Sequence, residues 1–120
     1  MVKRPPSVPD RGEIWHLNFA PSTCRKMLGE HYCLVLQKRE FNDSFGLGLV
    51  FPVSQGRAEN ACDQGFLVTL MGSGADTQGN IHSYQVRTLD WRARKASFKE
   101  KAPTDIVQHL LDCIGALLEE

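Results

Sequence analysis

Ile14-Trp15-His16-Leu17-Asn18-Phe19 places an apolar side chain at every second position, and Pro21 follows two residues later. A period of two marks a strand that turns its aromatic side inward. Pro21 ends that strand, because a proline has no N–H to give to a ladder. Outward from it, Tyr32 to Leu36 (Tyr-Cys-Leu-Val-Leu) is a continuous apolar run, expected of a strand buried on both faces. Leu47 to Val53 reads as the next strand, with Pro52 at an edge or an end. Phe66 to Met71 is another, punctuated by Gly72-Ser73-Gly74. Asn80 to Trp91 carries one bent strand or two, and Ala96 to Lys101 a last short one. Between them, 20–30, 38–46 and 54–65 read as connections, the second with Asn42-Asp43-Ser44 as turn chemistry.

The chain ends differently. Pro103-Thr104-Asp105 is a helix start, with Thr104 as N-cap and an acid in the first turn. Ile106, Val107, Leu110, Leu111, Ile114, Leu117 and Leu118 then recur at helical spacing. Gly115 within that stripe suggests close packing on a neighbour. The expected architecture is mainly β, a small barrel with a C-terminal helix over 104–118. Residues 1–11 hold three prolines and read as an extended arm. With 120 residues the chain is expected to be one domain, 1–120.

Composition narrows the function only by exclusion. Lys plus Arg and Asp plus Glu are 14 each, so net charge gives no argument for nucleic acid. The distribution is less even: Arg87, Arg92, Arg94, Lys95, Lys99 and Lys101 fall close together, a basic stretch or simply a solvated face. Cys24, Cys33, Cys62 and Cys113 form no C-x-x-C pair. Cys33 and Cys113 read as small buried hydrophobes, Cys24 and Cys62 as loop thiols. A zinc site from Cys24, His31, Cys33 and Cys62 lacks standard ligand spacing, so neither a metal nor another cofactor is expected. No apolar run is long enough to span a bilayer and no signal peptide is written, which fits a reducing cytoplasm.

Three segments carry a resemblance: Arg11-Gly12-Glu13-Ile14-Trp15, Pro52-Val53-Ser54 and Gln85-Val86-Arg87-Thr88-Leu89-Asp90. In order, spacing and total length they resemble the MazF/PemK toxins of type II toxin–antitoxin systems. The similarity runs from about Pro9 to Leu118. It implies a small SH3-like barrel related to that of CcdB, and a homodimer that cuts single-stranded RNA without a metal. It implies an active-site loop after the first strand. It further implies a cognate MazE/PemI-like antitoxin, whose tail occupies the RNA groove.

The chain departs from the family where catalysis is expected. His31 stands at the place of the family's Arg in its Gly-x-Arg-Pro, and Tyr32 replaces the Pro. His82 and Tyr84 stand where some members carry Arg and where Asp is common, while Gln85 and Arg87 are retained. Metal-free cleavage uses the adjacent 2′-hydroxyl as nucleophile. It needs a base, an acid and support for the phosphorane charge. Two imidazoles can supply the first two, so His31 and His82 are the candidate base and acid, and Ser54 is the candidate phosphate partner. Arg25 and Lys26 in the loop, with Gln55, Gln85 and Arg87, are candidate RNA contacts. Tyr84 is a candidate stacking platform. His16 and His109 read as structural or exposed, and Trp15 and Trp91 as core or interface. Arg92 and Arg94 alternate at a strand end, within reach of Asp90 or Glu100. A non-catalytic module remains open on the same residues: one that binds RNA without cutting, or inhibits a protein target as CcdB-type toxins act on DNA gyrase.

Overall fold

β1 (Glu13–Asn18) lies between two neighbours, and its alternation explains both faces of the sheet. The computed structural model describes residues 7–18, 30–54 and 67–119. β1 pairs with β2 (Glu30–Val35) and with β7 (Ser97–Lys101). β2 pairs in turn with β3 (Gly48–Ser54). β3 takes two short strands on its other side, β5 (Asn80–His82) and β6 (Arg87–Leu89), and β4 (Leu67–Thr69) pairs β5. Every pairing is antiparallel, in the order β4-β5-β3-β2-β1-β7 with β6 also on β3. Asn80 to Trp91 thus holds two strands, and the mainly β sheet with a C-terminal helix is as expected.

Opposed residues of an antiparallel pair share a face, so register assigns the core. Ile14, Leu34, Phe51, Val53 and Ile81 fill one face. Trp15, Leu17, Cys33, Val35, Val50 and Leu89 fill the other. β2 is therefore buried on both faces, as its unbroken apolar run requires. The Cys33 thiol inside this sheet is pushed up to about 12 by burial, against a hydrogen bond from the Trp15 backbone, so it stays an inert thiol. α2 (Thr104–Glu119) covers the first face with Ile106 and Leu110. A Cβ at Gly115 would meet nothing within 4 Å, so the close packing expected there is not found.

Three other expectations are corrected. The segment 38–46 is not a plain connection: α1 (Arg39–Phe45) forms there and ends on Gly46 with a left-handed φ of 69°. Its anchor is Asn42, which is buried and donates from Nδ2 to the carbonyls of Pro9 and Gln37 at 2.7 and 2.9 Å. Pro52 is not at an edge, since it sits opposite Cys33 in the centre of the sheet. It is tolerated because β6 pairs with residues 48–50 and β5 with 53–54, so it falls where the outer neighbour changes and no ladder donor is needed there. Arg92 and Arg94 pair with neither Asp90 nor Glu100: Arg92 bonds Asp43 at 3.2 Å and lies 4.3 Å over the Trp91 ring, while Arg94 donates to the Asn18 carbonyl.

The path of strands is joined across its two ends by a side chain. Glu100 of β7 accepts from the Thr77 hydroxyl and backbone N–H, each at 2.6 Å, and from the Asp76 N–H at 3.1 Å. Those residues lie in the connection between β4 and β5, so one carboxylate ties the β4–β5 hairpin to β7.

Candidate active site

His31, Ser54 and His82 lie on one face of the sheet. His31 is paired with Leu17, whose side chain belongs to the second core. It stands one step beyond the Tyr32–Val53 pair, at the register position across from Ser54. Ser54 is paired with Asn80, and His82 follows Asn80 by two residues, so alternation returns it to the same face. His82 is 4% exposed, and its Nε2 lies 2.7 Å from Ser54 Oγ. Ser54 and His31 are half-buried. A buried imidazole in contact with a more accessible hydroxyl can exchange protons with a ligand on that side.

A local turn adds a third member. The Gln85 N–H donates to the His82 carbonyl at 3.1 Å, closing the turn His82-Ser83-Tyr84-Gln85. The turn folds Tyr84 back, with ring centroids 5.6 Å from His82 and the phenol oxygen 3.1 Å from His82 Nδ1. The imidazole is thus held between two hydroxyls. Residue-by-residue reading assigned Tyr84 to base stacking and missed this contact. The signal was the short turn-forming spacing between the two residues. It missed Gly79 as well: its φ is 132°, and a Cβ there would collide with the Ser54 carbonyl oxygen, so only glycine lets this connection pass behind Ser54.

Other candidates are placed apart. Arg87 is paired with Val50, four residues before Ser54 along β3, or about 13 Å at strand rise. Gln85 is half-buried at the end of the Tyr84 turn. Arg25, Lys26 and Gln55, with Cys24 and Cys62, lie outside the described residues. Among the described residues no group of three His, Cys, Asp or Glu side chains is arranged to hold a metal ion.

Two concavities bear on the surroundings of the cluster, and only the second touches it, at Tyr84. One, of about 410 Å³, is lined by His16, Asn18, Arg94, Lys95 and Ser97 at the end of β1. The other, of about 440 Å³, is apolar and lined by Leu36, Leu49, Phe51, Tyr84, Val86 and Leu117. Tyr84 thus lines the second and also holds its hydroxyl against His82.

The sequence model of the PemK-like, MazF-like toxins of type II toxin–antitoxin systems matches residues 10–118. The chain belongs to this family. Among its relatives, the endoribonuclease PemK of Escherichia coli is 32% identical over 109 residues, covering 91% of this chain and 81% of that protein. The endoribonuclease toxin ChpB of Escherichia coli K12 is 33% identical, covering 99% and 100%. The crystal structure of MazF from Deinococcus radiodurans superposes with a TM-score of 0.83 at 30% identity, over 96% of this chain and 100% of that one. A MazE–MazF complex from the same organism gives 0.76, at 30% identity over 95% and 98%. Among the described residues no helix is long and apolar enough to cross a membrane.

Proposed function

We propose that this toxin is an endoribonuclease that cleaves single-stranded RNA without a metal, by attack of the neighbouring 2′-hydroxyl. The observation that carries the reading is the Ser54–His82 contact at 2.7 Å, on the face shared with His31. The 2′-oxygen attacks phosphorus as a base removes its proton, and an acid protonates the departing 5′-oxygen. Two imidazoles on one face serve these two steps. The Ser54 hydroxyl donates to a phosphate oxygen as charge builds there. Gln55, Gln85, Arg25, Lys26 and Arg87 contact the RNA on either side, the cations binding backbone phosphate.

The proposed assembly is a cytoplasmic homodimer held by an antitoxin of the MazE/PemI kind. Leu117 and Leu118 at the end of α2 are exposed beside the apolar concavity, and a second copy burying them would extend it into a shared groove. An acidic antitoxin segment suits the basic stretch from Arg87 to Arg94, and its binding weakens with salt. The test is incubation of the purified protein with a mixed single-stranded RNA pool in EDTA, followed by end mapping. The expected products carry a 2′,3′-cyclic phosphate and a 5′-hydroxyl. Binding without cleavage at any pH would return the chain to the non-catalytic reading.

A further inference from the structure

Placing His82 between a phenol and an alkyl hydroxyl is not a symmetric arrangement. A neutral imidazole has one N–H and one bare nitrogen, and its partners decide which is which. The phenol of Tyr84 is much the stronger acid of the two hydroxyls, with an ordinary pKa near 10. Its oxygen lone pair is drawn into the ring, which makes it a good donor and a poor acceptor. Ser54 Oγ is the better acceptor, and it lies at the shorter distance, 2.7 Å against 3.1 Å. Both ends therefore favour one arrangement: Tyr84 donates to Nδ1, and Nε2–H donates to Ser54.

We propose that Tyr84 holds neutral His82 as the Nε2–H tautomer, so that His82 serves as the general acid and His31 as the base. The assignment rests on the nuclease reading above. A ring whose Nε2 already carries a proton has no lone pair there with which to take one from a 2′-hydroxyl. When protonated, the ring donates Nδ1–H to the Tyr84 oxygen, whose hydroxyl rotates from donor to acceptor. Nε2–H is then the transferable proton. In the bond-breaking step the P–O5′ bond opens, its electron pair goes to the 5′-oxygen, and that oxygen takes the Nε2 proton. His31 has meanwhile accepted the 2′-proton, so the two imidazoles exchange charge and the net proton count is unchanged. His82 is left neutral with its proton on Nδ1, donated to the Tyr84 oxygen, and regains the Nε2–H form by exchange with water before the next turnover. Ser54, accepting from Nε2, keeps its own hydroxyl proton for a phosphate oxygen. Tyr84 acts through His82 and is a positioning residue.

Three measurements test this on the full chain. The ¹⁵N shifts of the His82 ring at high pH should show Nε2 protonated and Nδ1 bare in the wild type. Tyr84→Phe keeps the aromatic ring and loses only the hydroxyl. It should move the ring shifts toward the other tautomer and lower kcat about tenfold with KM unchanged. A stacking role predicts wild-type kinetics and wild-type ring shifts for this variant, and that result would overturn the proposal. The third arm uses RNA whose scissile 5′-oxygen is sulfur, a leaving group that departs without a proton. The defect of His82→Ala should be rescued on it and that of His31→Ala should persist. Rescue of His31→Ala instead would reverse the two roles and refute the assignment. A wild type that cuts no RNA removes the nuclease reading, and the ring shifts then decide the hydrogen-bond assignment by themselves.

Discussion

Glu13 and His82 are both almost wholly buried, at 7% and 4% exposure, yet they sit in opposite kinds of network. Around Glu13 the hydrogen bonds close inward. Its Oε1 accepts from the Trp15 indole at 3.0 Å and from the Asp10 N–H at 2.9 Å, and its Oε2 accepts from Arg39 at 3.2 Å. Arg11 beside it donates to the Leu36 carbonyl at 2.7 Å. These bonds join the chain before β1 to the segment that follows β2 and to α1. Around His82 the bonds lead outward, through half-buried Ser54 and through Tyr84, 38% exposed. The Arg11-Gly12-Glu13 and His82-to-Gln85 segments look alike as motifs. The difference lies in what the polar partners do: those of Glu13, half-exposed Arg39 included, are tied to other segments of the fold, while the Ser54 and Tyr84 hydroxyls are groups a ligand can reach.

The largest test of that contrast is His82→Ala. It should lower cleavage by about two to four orders of magnitude, the scale of lost general acid–base assistance. That corresponds to about 3–5 kcal/mol of barrier. The urea midpoint should move far less, because the hydroxyls left behind can turn toward water. A protein that unfolds in step with its loss of activity would place His82 with Glu13, among the residues that hold the fold.

Gly79→Ala is designed to break the distinction. The added Cβ meets the Ser54 carbonyl oxygen in a left-handed backbone conformation, so β3 and β5 must separate. The expected cost is about 3 kcal/mol of stability, with cleavage falling as well because Ser54 moves. Glu13→Ala should do the reverse of His82→Ala. It leaves the Trp15 indole without its acceptor and Arg39 without one of its two carboxylate partners. About 2 kcal/mol should be lost, discounted because Arg39 is half exposed. The activity of each folded molecule should be unchanged, read as active-site titre against folded fraction.

Much of this contrast could be read in advance, for identifiable reasons. β1, β2 and α2 were legible because Trp15 and Leu17, Tyr32 to Leu36, and Ile106 to Leu118 repeat at the periods that burial imposes. α1 was not, because it is short and polar. Its reason for existing is Asn42 reaching the Pro9 carbonyl, a contact 33 residues distant in sequence. Pro52 was misread because its neighbours change beside it, which no local pattern records. His31, Ser54 and His82 were singled out from the family resemblance. Their common face follows from strand register, and the Tyr84 contact from a turn three residues long in its closure.

The smallest expected effect belongs to Glu100, which sharpens the comparison because it shares Glu13's chemistry without its burial. Burial acts to raise its carboxyl. The hydrogen bonds from the Thr77 hydroxyl and N–H and the Asp76 N–H, with the Lys99 charge, outweigh that and hold it below the usual carboxylate range. A group whose pKa is lower folded than unfolded stabilises the fold when ionised. The contribution is therefore complete above the unfolded value of about 4.3 and is lost as pH falls through the lower folded value. Glu100→Gln keeps the shape and removes the charge. It should cost about 1 kcal/mol or less at pH 7, since Glu100 is only half-buried and solvent screens its charge. As pH falls below the unfolded value of about 4.3 and then through the lower folded value, the wild type should converge on the variant, because the protonated carboxyl has become its isostere. Urea midpoints of the two proteins from pH 3 to pH 7 measure this directly. A gap that stays constant across the range would mean that Glu100 ties β7 to the Thr77 connection by shape and hydrogen bonding alone, with its charge contributing nothing.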